Sequence, residues 1–184
     1  MEKENGTRRN EHHLAKGLVA GVVSGLLGTV MMTEFQNAWS KASKALKDSD
    51  ASKNKQSELE KKSEQEKEDG TMKAIGKIAE LAGHPLSHEQ KEKFGPVVHY
   101  SFGALQGGLY GGMREMTGSS DVILPALLFG SVLFAAADEI AVPALGLSGK
   151  PSEYPLSSHL YGLASNLVYG LSTEMFRRGF RADF

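Results

Sequence analysis

Residues 17–33 read GLVAGVVSGLLGTVMMT, an unbroken run without a formal charge. Adding residues 34–39 (EFQNAW) extends it to the roughly 20 residues a helix needs to cross hydrocarbon. Trp39 then falls where an interfacial aromatic belt is expected. Three later segments have the same character. Residues 94–113 carry no formal charge beyond His99, residues 122–137 are uncharged, and residues 155–173 have His159 as their ionisable group. A surface helix of a soluble protein alternates an apolar stripe with a polar one, whereas these segments are apolar or small all round. The pattern predicts an all-α membrane protein with four transmembrane helices at 17–39, 94–116, 121–141 and 158–177. A polar tail at 1–16, a charged extramembrane insertion at 40–93, a loop at 142–157 and a short tail at 178–184 complete the organisation.

Net charge is close to zero, with 21 Lys and Arg against 22 Asp and Glu, which argues against a nucleic-acid binder. Without cysteine the chain has no disulfide framework, thiolate metal site or thiol nucleophile. Charge is concentrated in the insertion, where twelve lysines face eleven acids, most densely at residues 57–69 (SELEKKSEQEKED). Residues 72–82 place Ile75, Ile78, Ala79 and Ala82 at helical spacing before Gly83, predicting a short amphipathic helix with a glycine C-cap. Ser87, followed by Glu89 and Gln90, is expected to cap a second short helix that Pro96 ends.

Glycine supplies the second signature. Gly17, Gly21 and Gly25 recur every four residues, as do Gly103, Gly107 and Gly111. In lipid, where burial gives helices little drive to associate, such small-residue faces let backbones pack closely, within the chain or in a homodimer or membrane-protein complex. The motif YGxxxEM occurs at residues 110–116 and again at 169–175, with His99 and His159 at similar distances ahead. Gly25 stands nine residues before Glu34, and Gly130 nine before Glu139. Each half therefore reads as a helical hairpin, and the chain as two tandem hairpins forming a parallel internal repeat.

The Gly-rich first span, the segment HYSFGALQGGLYG at residues 99–111, the acidic end of the third span before Pro143, and the segment from His159 to Glu174 carry a resemblance. Together they resemble the uncharacterised bacterial inner-membrane proteins typified by YagU. That resemblance implies a multi-span inner-membrane protein of unassigned activity and supplies no catalytic residues.

All six arginines fall on the face that holds both termini and the turn between spans two and three. The positive-inside rule makes that face cytoplasmic, although the lysines of the insertion pull the other way. On the far face, Glu34, Asp138 and Glu139 end spans one and three where His99 and His159 begin spans two and four. These five residues are the candidate site. Two imidazoles with carboxylates suit a divalent transition metal or a proton relay, and interfacial solvation is the structural alternative. No other cofactor is expected. Arg114, Glu115, Glu174, Arg177 and Arg178 read as structural ion pairs, with Glu174 spaced to meet Arg177 or Arg178 along its helix. GLSGK at residues 146–150 lacks phosphate-loop spacing, and no hydrolase motif is present, so enzymatic activity is not expected. The leading expectation is a small proton- or ion-handling or transport-related protein in the bilayer. The alternative is a non-catalytic scaffold or accessory subunit that docks partners through its glycine faces.

Overall fold

The computed structural model describes residues 2–48, 72–77, 79–80, 83–118 and 120–183, and among these it is helical with no strand. Helix α1 runs Glu2–Asp48 and α2 His88–Thr117. Helix α3, Ile123–Leu133, passes directly into a π-helix, Phe134–Ala141, and then into the short α4, Val142–Ala144. A 3-10 turn, Pro151–Glu153, precedes α5, Leu156–Asp183. Residues 72–77 and 79–80 are also helical, and the densest charge run, residues 57–69, lies outside the described residues.

Two stretches of helix, His13–Ala45 and Ile123–Ala144, are long and apolar enough to cross a membrane. Helices α2 and α5, 30 and 28 residues long, are diluted by glycine and by charged ends. Helix continues beyond the expected boundaries at both termini, into residues read from sequence as tails. The expected stop at Pro96 is corrected. Ser87 and Gln90 do form a reciprocal cap, the Ser87 N–H donating to Gln90 Oε1 (2.8 Å) and the Gln90 N–H to Ser87 Oγ (3.3 Å). The helix they start, however, is α2 itself, which runs through Pro96 to Thr117. Proline removes one donor, and the carbonyl it strands belongs to exposed Glu92, where water can satisfy it.

The chain divides into two compact units, Met1–Met32 with Tyr100–Gly130 and Leu167–Phe184, and Thr33–His99 with Ser131–Asn166. In the first unit α1 and α2 meet backbone to backbone. A Cβ added to Gly107 would lie 2.5 Å from the Gly25 Cα, and one added to Gly21 or Gly111 would fall on the Gly107 or Gly17 carbonyl oxygen. Helices α3 and α5 approach similarly, a Cβ at Gly170 lying 3.1 Å from the Gly130 nitrogen. Tyr110 stacks on Phe129 with ring centroids 4.3 Å apart, and the Tyr169 hydroxyl donates to the Gly103 carbonyl at 2.6 Å.

This unit also places polarity in an order opposite to that of a soluble domain. Ser24, Thr29, Thr173, Glu174, Arg114 and Arg177 are buried. Leu105, Leu109, Met113, Ile123, Leu124 and Met175 are exposed. Water-soluble folds bury such apolar side chains and rarely bury charges.

In the second unit, the helix 79–80 closes at Gly83, whose positive φ lets the His84 N–H bond the Ala79 carbonyl (2.9 Å). Helix α4 ends in the same way at Gly146, with the Leu147 N–H donating to the Val142 carbonyl at 3.0 Å. Lys77 donates to the Leu145 carbonyl, tying the amphipathic segment to that turn. Trp39 packs between Phe35 and Tyr161 at centroid distances of 5.8 and 5.9 Å.

Candidate functional site

Within the second unit, the π-helix carries Asp138 and Glu139 side by side. Successive side chains are about 100° apart around an α-helix but only about 80° apart around a π-helix. The wider turn therefore brings both carboxylates toward one neighbour, α5. His159, in the first turns of α5, places Nδ1 2.7 Å from Glu139 Oε1 and Nε2 3.1 Å from the Pro151 carbonyl oxygen. Two turns further along, the Asn166 amide donates to Asp138 Oδ2 (2.9 Å) and to the Gly162 carbonyl (3.0 Å). Glu139 and His159 are each about a quarter exposed, 26% by side chain, so water reaches a pair that is otherwise enclosed.

Both contacts can be hydrogen bonds at once only with a hydrogen on each ring nitrogen's side, whereas a neutral ring beside the carboxylate makes one of them, according to its tautomer. A backbone carbonyl only accepts, so with both bonds made His159 Nε2 carries the hydrogen of the bond to Pro151. The 2.7 Å contact between Nδ1 and Oε1 then needs a hydrogen of its own, either on an imidazolium or on a carboxylic acid. Whichever atom holds it, the pair with both bonds made contains one exchangeable proton beyond the Nε2–H.

The remaining sequence-derived site residues are placed differently. Glu34 is exposed on α1 and has no ion-pair partner among the described residues, while His99 is half-buried on α2. Among the described residues, no group of three or more His, Asp or Glu side chains is arranged to hold a metal ion. The structure thus brings together Glu139 with His159, and Asp138 with Asn166, rather than all five candidates around one point.

A second polar centre lies in the first unit. Glu174, fully buried, receives Arg177 Nε at 2.7 Å from its own helix and Arg114 Nη2 at 3.1 Å from α2. Arg178 Nε lies 3.5 Å from the same carboxylate, and its Nη2 donates to the Ser120 carbonyl. Glu115 on α2 is held by Arg181 through two bonds of 2.7 and 2.9 Å, with Arg177 Nη1 at 3.4 Å. Arg177 therefore bridges both acids, and the network ties α2 to α5. Arg177 grips Glu174, and Arg181 grips Glu115, through paired guanidinium–carboxylate hydrogen bonds.

Three participants escaped the sequence reading. Asn166 was a polar residue inside an otherwise apolar span, which is a signal in itself. Arg181 stood in the residues assigned to the tail, beyond the spacing used to pair Glu174. The π-helix had one available cue, Pro143 four residues after Glu139. A scan against protein-family models finds no match, and searches of curated proteins and of solved structures find none either.

Proposed function

We propose that this chain is a multi-pass inner-membrane protein, four spans arranged as two tandem hairpins of the YagU-like kind, that takes up and releases a proton at Glu139 and His159. The observation that carries the proton reading is His159 held between an acceptor-only carbonyl and a carboxylate, an arrangement whose two hydrogen bonds are made together by the protonated pair. Imidazole is the side chain that most readily takes up and releases a proton near neutral pH.

The membrane reading is supported by the two apolar helices and by the first unit's buried charges and exposed leucines and methionines. The four-span reading draws on the equivalent packing of α1 on α2 and of α3 on α5, each through glycines that admit no side chain between them. Close glycine packing within the chain is also what a non-catalytic scaffold would show, and that alternative, with the charged insertion meeting a soluble partner, stands beside the proton reading. Both termini on the cytoplasmic side follows from the arginines at that end.

Nitrogen-15 NMR of His159 in detergent, compared between the native protein and Glu139→Ala, tests the proton site. The His159 ring-nitrogen shifts should respond to pH differently in the two proteins, because the variant lacks the carboxylate that meets Nδ1. Identical His159 titrations in the two proteins would refute the site.

A further inference from the structure

The arginine-rich end of the first unit holds more positive charge than its own acids neutralise. Arg114, Arg177, Arg178 and Arg181 meet two carboxylates there, Glu174 and Glu115. Glu174 receives Arg177 at 2.7 Å and Arg114 at 3.1 Å, and Glu115 receives Arg181 at 2.7 Å. Arg178 has the longer contact, Nε at 3.5 Å from Glu174, and its other anchor is the uncharged Ser120 carbonyl. Its side chain is 42% exposed, whereas those of Arg114 and Arg177 are 5% and 9%. Lys16, beside the Gly17 that abuts Glu115, and Asp121, whose carbonyl receives Arg114, are of opposite sign, so the excess among the described residues stands. Arg178 is thus a guanidinium already aimed and held by a carbonyl, without an acid of its own. Pre-organisation of that kind lowers the entropy cost of binding an anion.

The surroundings of Arg178 suit an anion with an apolar tail. Met175, Arg178 and Ala182 follow one another on α5 at spacings of three and four, so they share a face, and all three are exposed. Met175 stands about 4.5 Å from Arg178 along the helix axis, on the side away from the C-terminus. Beside Arg178, a Cβ at Gly179 would have nothing within 4 Å, so the space there is open. Beyond the Ser120 carbonyl, Ile123 and Leu124 begin α3 with 66% and 61% of their surface exposed.

We propose that Arg178, with the open space over Gly179, binds the phosphate of an anionic phospholipid in the cytoplasmic leaflet, whose acyl chains lie against Met175 and the start of α3. The proposal rests on the membrane reading above. A guanidinium fork matches phosphate oxygens in pairs. The cytoplasmic leaflet is the one rich in anionic lipids, and basic sites between membrane helices on that side hold such headgroups. A zwitterionic lipid presents the same phosphate together with a cation of its own, which the excess positive charge repels. Discrimination between the two lipids is therefore electrostatic.

The test uses the full-length protein in a neutral detergent with dioleoylphosphatidylglycerol, dioleoylphosphatidylcholine or inorganic phosphate added at matched concentrations. Native mass spectrometry reads retained lipid, and thermal unfolding reads stabilisation. Phosphatidylglycerol should be retained and should raise Tm saturably, whereas phosphatidylcholine and inorganic phosphate should do neither. Arg178→Gln should weaken phosphatidylglycerol binding about fivefold, the effect of one basic residue near an anionic surface. Gly179→Leu fills the open space without changing charge and should weaken it by a similar factor. Lys150→Gln removes an exposed charge from the second unit and should leave binding unchanged. Equal retention of the two lipids, or phosphatidylglycerol binding that survives either Arg178→Gln or Gly179→Leu unchanged, would overturn the site and leave the membrane reading standing. Stabilisation by inorganic phosphate as strong as that by phosphatidylglycerol would assign the arginine to a soluble anion and overturn the lipid proposal. Recovery of the native protein as a soluble monomer without detergent would remove the membrane reading, and this site with it.

Discussion

Replacing Gly107 by alanine should be the most informative single-methyl change in the molecule. The added Cβ would lie 2.5 Å from the Gly25 Cα and 2.8 Å from the Gly25 nitrogen. Carbon atoms in contact sit about 3.5–4.0 Å apart, so the shortfall is about 1 Å, and everything the methyl meets is backbone. No rotamer change can relieve it. Helices α1 and α2 must separate, and a gap of about 0.5–1 Å forfeits a quarter to a half of each contact's attraction along the glycine rail. Overpacking of this kind costs about 1–3 kcal/mol, against which alanine returns up to about 1 kcal/mol of helix propensity. The net expectation is a loss of about 1–2 kcal/mol. Gly179→Ala is the control, since a Cβ there has nothing within 4 Å and should stabilise by up to about 1 kcal/mol. Gly108→Ala should fall between them, because its closest neighbour is a Val22 methyl at 2.8 Å that can rotate aside. Thermal unfolding of the three variants in one detergent gives the ranking. If Gly107→Ala proved as stable as Gly179→Ala, the backbone contact between α1 and α2 would have to be given up.

Glu174→Gln leaves two buried guanidinium groups without their shared carboxylate and should cost about 3–5 kcal/mol, read by thermal unfolding; a loss below about 1 kcal/mol would show the network is dispensable. A double-mutant cycle on Glu139→Ala and His159→Ala should give a coupling of about 0.5–2 kcal/mol, while the same cycle on exposed Glu34 and His99 should be additive. Equal coupling in both cycles would contradict the placement of Glu34. Cysteines introduced at Ser87 and at Ser120 should label from opposite sides of the membrane, and same-side labelling would refute the four-span topology.

Much of the packing was legible because four-residue glycine spacing has few other uses in an apolar helix. Gly17, Gly21 and Gly25 marked one rail and Gly103, Gly107 and Gly111 the other, and these rails face each other in the structure. The candidate site was only half legible. Sequence gives the depth of a residue along its span but not its azimuth, so Glu34, His99, Glu139 and His159 looked equivalent when only the last two meet. Azimuth depends on the turn, and the π-turn that carries Glu139 toward α5 is not encoded by the helix propensity of its alanine-rich residues. Pro96 misled for a related reason, since the cost of a missing donor depends on whether its carbonyl can reach water, which is a matter of exposure rather than of residue type.

The ion-pair lattice between α2 and α5 also has a consequence for biogenesis. Arg114 and Glu115 are neighbours in sequence and therefore point to different sides of their helix, and their ion pairs in the lattice, to Glu174, Arg177 and Arg181, all come from α5, which is translated after α2. In the four-span reading the first hairpin enters the bilayer before those side chains exist. A charge at the centre of a membrane helix costs about 2.5–3.5 kcal/mol by insertion scales, and less near an interface where it can snorkel. The nascent first half is then a tolerated but unfinished state, recognisable to quality-control machinery by its unsated charges. Arrival of α5 ends that state by supplying the partners of both charges.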